Sequence, residues 1–567
     1  MKKIFILLMT LVIFMMCSCG SDTNESDDPD TIKTPEETLP SNLATYTNIH
    51  PISYREVNKE TNMDKFYQET KKSNGSSHDA PHDYGFVDSV WHKLKVNDKE
   101  VKVYSARCGY GIHSFAWVDI ETDGIFNLDI EIELLAGNFK SVIVLPEKEN
   151  VVASIEGDVV TATISNYGSF SFAFDEQPYM AMTLYVAPYR KLEAPAGYEV
   201  VEIEPGYYDN SEEASLLFAK NENATNKVYY FKKGTYDITS ILIPTNSIIY
   251  FEPGVYMRVF EKEPGDYESA ISCYGSNVKI LGRALFDFSK CVGGDAKTKG
   301  VYNFHDCENV YVEGLITINS NNWSLCFWAC KNVEVARNMF YSYRTFSDGI
   351  MFSDCEDSCA HDNFVRTGDD AVEVKAFTSL SAETNNILFE NNAVWTDKGL
   401  AYGLVYESLH DAKNIYFKNN SVGFAQASWS EHLGCCVIQM GSMKKSTWSD
   451  VYFENIEIFS TSCAPISLYN RASNSNEGGK IRNIYFKDIN VKHINQTNLP
   501  VYGINVVIRL GDGVDYTNAT IGAAYIDNFN YCGIDITSDN YLEYTNIALS
   551  DGAKFSKSNL KINTLGE

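Results

Sequence analysis

Basic side chains are in short supply: 47 Lys and Arg stand against 75 Asp and Glu, a formal charge of −28 over 567 residues. A chain this acidic repels a phosphate backbone, which argues against nucleic acid as a partner. Long apolar runs are also missing. After the first nineteen residues no stretch offers the roughly eighteen uninterrupted apolar positions that a membrane span needs. Metal and nucleotide signatures are lacking too. The ten His are scattered, His78 and His82 do not have the intervening Glu of a zinc-protease motif, and the fourteen Cys form no zinc pattern. No metal and no cofactor are therefore expected. Cys326 and Cys330, and Cys355 and Cys359, stand four apart, while Cys435 and Cys436 are adjacent. Buried free thiols are the favoured reading over a disulfide framework, because a chain of this size with 44% apolar residues needs no staples. No pattern specifies an oligomeric state.

The N-terminus carries what the rest lacks. Lys2 and Lys3 precede an apolar run from Ile4 to Met16, followed by Cys17, Ser18 and Cys19, which reads as an export signal over 1–18. Ser18-Cys19-Gly20 is similar to a bacterial lipobox, with Met16 in place of the usual Leu, and implies lipid attachment at Cys19. Residues 19–81 read as a lipoprotein tether and linker, for 21–40 alone holds seven acids, one Lys and three Pro and cannot bury enough surface to fold. Such a protein sits in the cell envelope, at the outer membrane or cell surface, and touches the membrane through its lipid only.

Over 82–190 the chain alternates with period two. Phe126, Leu128, Ile130, Ile132 and Leu134 share one face, and Asn127, Asp129, Glu131 and Glu133 the other. Similar short runs follow at Val160 to Ile164, Phe170 to Phe174 and Met182 to Val186, which predicts an antiparallel β-sandwich. Pro195, Gly197, Pro205 and Gly206 then break the pattern in a connector over 191–225.

From 226 to 567 a short phrase recurs: Asn or Asp, alternating apolar residues, then Asn or Gly. It begins at Asn277, Asn309, Asn332, Asp357, Asn386, Asn414, Asp450 and Asn483, at intervals of 23 to 36 residues. A constant phrase at irregular spacing marks a solenoid. No helical periodicity fills the intervals, and β-branched and aromatic residues dominate them. The expected fold is all-β: a right-handed parallel β-helix whose lateral groove is floored by a sheet.

Ser347-Asp348-Gly349, then Gly368-Asp369-Asp370 running into Ala371-Val372-Glu373-Val374-Lys375, carries the chemistry. One coil apart, Asp348, Asp369 and Asp370 fall at neighbouring stations of strands about 4.8 Å apart. Like charges that close raise at least one pKa, giving the protonated acid and ionised base that glycoside hydrolysis uses.

These residues, with Asn322-Trp323-Ser324 upstream and Gly403-Leu404 downstream, resemble the polygalacturonases, family 28 of the glycoside hydrolases, over about Tyr229 to Val491. The preceding sandwich and Tyr230-Phe231-Lys232-Lys233-Gly234-Thr235-Tyr236 are similar to the dextranase and isopullulanase family 49, which shares the helix and the three aspartates. The resemblance implies inverting hydrolysis, with Asp369 as general acid and Asp348 and Asp370 holding and activating water; acid and base could be exchanged within the trio.

Three departures bear on the substrate. Phe346 stands where polygalacturonases carry Asn, Ala401-Tyr402-Gly403 where they carry Gly-His-Gly, and Gly434-Cys435-Cys436-Val437-Ile438-Gln439 lacks their Arg-Ile-Lys clamp for the galacturonate carboxylate. A neutral glycan is slightly favoured over galacturonan, with Lys444, Lys445 or Arg471 as a displaced clamp otherwise. Glu373 and Lys375 share the parity of Asp369 and flank the acid, either as substrate contacts or as a structural ion pair. Glu407 is a candidate fourth carboxylate. Trp323, Tyr402, Trp429 and Tyr469 are candidate sugar-stacking rings. The resulting expectation is an exported glycoside hydrolase acting on a polysaccharide or oligosaccharide. A non-catalytic glycan-binding or adhesin β-helix is the alternative, and a polysaccharide lyase the third.

Overall fold

Alternation becomes a half-solvated sheet in the computed structural model: Leu128–Leu134 buries every second residue and exposes the acids between them. It belongs to a five-stranded antiparallel sheet facing a seven-stranded one. Leu94, Ile130, Ile132, Phe170, Phe172 and Leu184 fill the space between the two. The structure describes residues 48–51 and 86–564, apart from 110, 123, 209–225, 262–268, 292–299, 378–382, 427–433, 444–445, 473–477, 496–500 and 512–518. The leader, Cys19, most of the tether, Trp429, Lys444 and Lys445 lie outside these residues. Among the described residues no helix is long and apolar enough to cross a membrane.

The repeated phrase builds a parallel β-helix. Most coils give two successive strands to a 22-stranded sheet, as Glu308–Glu313 and Leu315–Ile318 pair with Lys331–Ala336 and Met339–Tyr341 of the next coil. A further strand per coil forms an 11-stranded sheet. The Asn that opens each phrase turns the corner: Asn277, Asn309 and Asn332 sit at φ of 58°, 59° and 53°, a left-handed conformation Asn tolerates better than most side chains. Their amides also bond from coil to coil, Asn309 Nδ2 to Asn277 Oδ1 at 2.9 Å and Asn332 Nδ2 to Asn309 Oδ1 at 2.6 Å. Inside, Asn338, Asn363, Asn392 and Asn420 form a second, buried ladder. Phe389, Phe417, Phe453 and Phe486 stack face to face in the core. The described cysteines are free thiols, buried except for Cys532.

The seven-stranded sheet is buried on both faces, because its outer face packs on the helix. Phe115, Trp117 and Tyr185 meet Leu285, Ile316, Tyr341, Phe364 and Trp395 there. A buried ion pair stitches this layer: Arg366 Nη2 lies 3.1 Å from Asp397 Oδ1, and Arg366 Nη1 reaches Pro178 O and His113 Nδ1. Asp397 Oδ2 in turn accepts the Gly109 N–H at 2.7 Å.

Two boundaries differ from the sequence reading. Asn48–Pro51, within the stretch read as tether, pairs antiparallel with the strand Gly111–Glu121 of the sandwich. Glu199–Ile203, within the stretch read as connector, pairs in parallel with Lys227–Phe231 and so begins the coil stack early. Both segments are short, and their backbones pair at places where their side chains show no apolar alternation.

Candidate active site

The strands Ile350–Ser353 and Val372–Ala376 pair in parallel with Ile350 opposite Val372, which sets Asp348 and Asp370 at equivalent stations of successive coils. The glycines of both phrases allow this approach. A Cβ on Gly349 would lie 2.2 Å from Ala371 O, and one on Gly368 would lie 2.5 Å from Arg344 O. The coils could not close with any other residue there.

The three aspartates have different surroundings. Asp348 is 3% exposed and Asp370 9%, whereas Asp369 is half-buried. Asp369 accepts two backbone N–H groups, from Phe346 to Oδ2 at 2.9 Å and from Asp370 to Oδ1 at 3.1 Å. Asp370 Oδ1 accepts the Leu400 N–H at 3.0 Å. Asp348 Oδ1 is buried with no hydrogen-bond partner. Burial pushes the Asp348 carboxyl well above its usual range, and Glu373 and Asp369 push it further. Burial, then Asp369 and Glu373, do the same to Asp370. Asp369 is raised by burial against the pull of the Phe346 N–H, Lys375 and Lys398.

Beneath the trio lies a buried ion-pair chain. Lys375 Nζ is 3.2 Å from Glu373 and 2.9 Å from Glu407, and sits 4.6 Å over the ring of Trp323. Burial disfavours its charge, yet Glu373 and Glu407 hold the ammonium well above its ordinary pKa. Glu373 is fully buried and pushed up to about 7 by burial, with Lys375 opposing. Asp348, Asp370 and Glu373 bring oxygens within 4.8 Å of one another, a spacing at which acids share a proton or a cation. The Lys375 ammonium already supplies positive charge at that place.

The structure therefore gathers Asp348, Asp369, Asp370, Glu373, Lys375, Glu407 and Trp323. Tyr402 is a correction. It is fully buried in the helix core and its hydroxyl donates to Asn392 O and Ser421 O, because its strand parity directs it inward. It cannot stack on a sugar. Tyr469 is buried as well, at 4% exposure. At the expected clamp station Cys436 pairs with Tyr402 and is buried with it. Arg471 lies near Glu407's neighbour, its Nη1 donating to the Tyr406 hydroxyl at 3.0 Å. Sequence reading missed the Phe346 and Leu400 N–H groups, since backbone donors leave no side-chain signature. It also missed Trp328, Cys326 and Met351, which pack around Trp323.

Residues 273–549 match the model of the glycosyl hydrolases family 28. Over this span the coil stack is similar to that family. The chain is accordingly a glycoside hydrolase. Dex49A from Penicillium minioluteum shares the fold: 12% identity, TM-score 0.56, with 92% of this chain and 100% of that chain covered. The family 28 exopolygalacturonase of Yersinia enterocolitica aligns at 11% identity and TM-score 0.43, over 76% of this chain and 97% of that one. The exopolygalacturonase of Thermotoga maritima aligns at 15% identity and TM-score 0.36, over 66% and 94%. No curated protein matches the chain. The pKa values of its buried acids are raised, the direction that acid and base chemistry calls for.

Proposed function

We propose that the hydrolase cleaves its polysaccharide or oligosaccharide with inversion, using Asp369 as general acid. The observation that carries this is the unequal exposure of three neighbouring acids: Asp369 is the most open of the trio, with Asp370 and Asp348 at 9% and 3% exposure behind it. Asp369 donates a proton to the glycosidic oxygen, while water held by the inner acids attacks the anomeric carbon and gives its own proton to an ionised inner acid. Incubation with a panel of polysaccharides should release new reducing ends whose first-formed anomer, read by NMR, is inverted. Retained configuration would defeat the mechanism, and an ultraviolet-absorbing unsaturated product would point to a lyase.

A neutral glycan suits this site better than a uronate. Five carboxylates, Asp348, Asp369, Asp370, Glu373 and Glu407, face Lys375 and Lys398, so an anionic sugar meets more negative than positive charge. Cleavage should favour neutral glucans or galactans over galacturonan and change little between low and high salt. Efficient galacturonan cleavage that weakens as salt rises would overturn the preference and direct attention to Lys398 and Arg471.

Export and lipid anchoring through Cys19 complete the proposal. Cys19→Ala should abolish lipid labelling and release the protein from membranes. A wild-type protein that is already soluble and begins downstream of Cys19 would refute the anchor.

A further inference from the structure

We propose that Glu373 is a positioning residue: it accepts a hydrogen bond from a protonated Asp348, fixing Asp348 as the neutral member of the inner pair and leaving Asp370 as the base that takes the proton from water. The inference rests on the hydrolase reading above and deepens it.

One buried carboxylate oxygen here has no donor. Asp348 Oδ1 is buried without a hydrogen-bond partner, and Glu373, fully buried, has the Lys375 ammonium beside it at 3.2 Å, within a group whose oxygens all lie within 4.8 Å of one another. Two facing carboxylates repel unless one carries a proton, and then they form a short charge-assisted bond. Hydrogen-bond donors decide where the proton rests. Within the inner pair, Asp370 receives the Leu400 N–H, which favours its ionised form. Glu373 has the Lys375 ammonium at 3.2 Å, which favours its anion. Asp348 Oδ1 has neither, so it gains most by holding the proton and donating it to Glu373.

The groups facing Glu373 from every side agree. The loop before its own strand brings Asp369 and Asp370, the loop of the preceding coil brings Asp348, its own strand brings Lys375, and the following coil brings Glu407. Cys326 also faces it, and burial keeps that thiol neutral. Burial raises both Asp348 and Glu373, the latter to about 7; Glu373 raises Asp348 further, while Lys375 and Asp348 draw Glu373 down, as expected for acids that share one proton. A neutral Asp348 can hold water by donation or acceptance without competing for its proton. Asp370 then performs the deprotonation alone.

Infrared titration of the full chain without substrate reads the carbonyl band of a buried protonated carboxyl directly. Asp348→Asn should remove one such carboxyl. Glu373→Gln should move the Asp348 midpoint to lower pH by about one unit or more, because the nearest negative neighbour is gone. Glu373→Asp, which retains the charge, should keep the midpoint near the wild-type value and serves if the Gln variant is unstable. The kcat profile of Glu373→Gln should move to lower pH in step, with KM changed by about twofold or less. A structural role alone would lower kcat at every pH and leave the profile in place. An unmoved midpoint in Glu373→Gln, or loss of activity on adding EDTA, overturns the proposal, since a cation would then hold the carboxylates. Because the infrared reading requires no turnover, failure to cleave any glycan would count against the hydrolase reading and not against the shared proton.

Discussion

Asp369→Asn should lower turnover on the order of 100-fold or more while the protein stays folded. Asn has nearly the shape of Asp, but it has no proton to transfer to a leaving oxygen. Its carbonyl can accept only one of the two N–H groups that Asp369 receives from Phe346 and Asp370, so a small loss of stability accompanies the loss of rate. KM should change little, since the substitution removes transition-state chemistry and leaves the groove floor intact. Asp348→Asn and Asp370→Asn should also be slow, as both affect the water. Steady-state kinetics with circular dichroism as the folding check decides the matter: undiminished turnover in Asp369→Asn would remove that residue from the mechanism.

The second large effect concerns the seam between sandwich and helix. Arg366→Met should destabilise the protein by about 3–5 kcal/mol, because it leaves Asp397 charged, buried and without its partner. The side chains of Arg366 and Asp397 are 0% and 2% exposed, so solvent cannot screen the residual charge. The guanidinium also donates to Pro178 O and to His113 Nδ1, which therefore lose a partner as well. Burial and the Arg366 charge keep the His113 ring neutral and able to accept. The double variant Arg366→Met with Asp397→Asn should recover part of the loss, since no unpaired charge remains. Denaturant unfolding of the single and double variants measures this coupling. A single variant as stable as the wild type would show that the seam is held by the apolar layer of Phe115, Trp117, Tyr341 and Trp395 alone.

Much of the architecture was legible because its signals are local. Asn at the start of each phrase meets two requirements at once, a left-handed corner and an amide that bonds the next coil, so the same residue type had to recur. Period-two burial marked Leu128–Leu134, whose opposite face is wet. The same rule was silent for Tyr104–Cys108, which is buried throughout because the helix covers its second face. It was silent again for Asn48–Pro51 and Glu199–Ile203, which are recruited by backbone pairing.

The sequence by itself determined that two phrases one coil apart would set Asp348, Asp369 and Asp370 together, since a solenoid converts spacing along the chain into adjacency in space. It also placed Glu373 and Lys375 on the outward parity of their strand, and there the structure finds them beside Asp348 and Glu407. Tyr402 shows where such reading ends. It lies in a phrase next to the site, yet one step of strand parity directs it into the core. Only the tertiary structure decided how the acids differ, because pKa depends on surroundings contributed by other coils. The Phe346 and Leu400 N–H groups, the Trp323 ring beneath Lys375 and the depth at which Asp348 is buried come from packing, and packing separates three chemically identical side chains into distinct electrostatic environments.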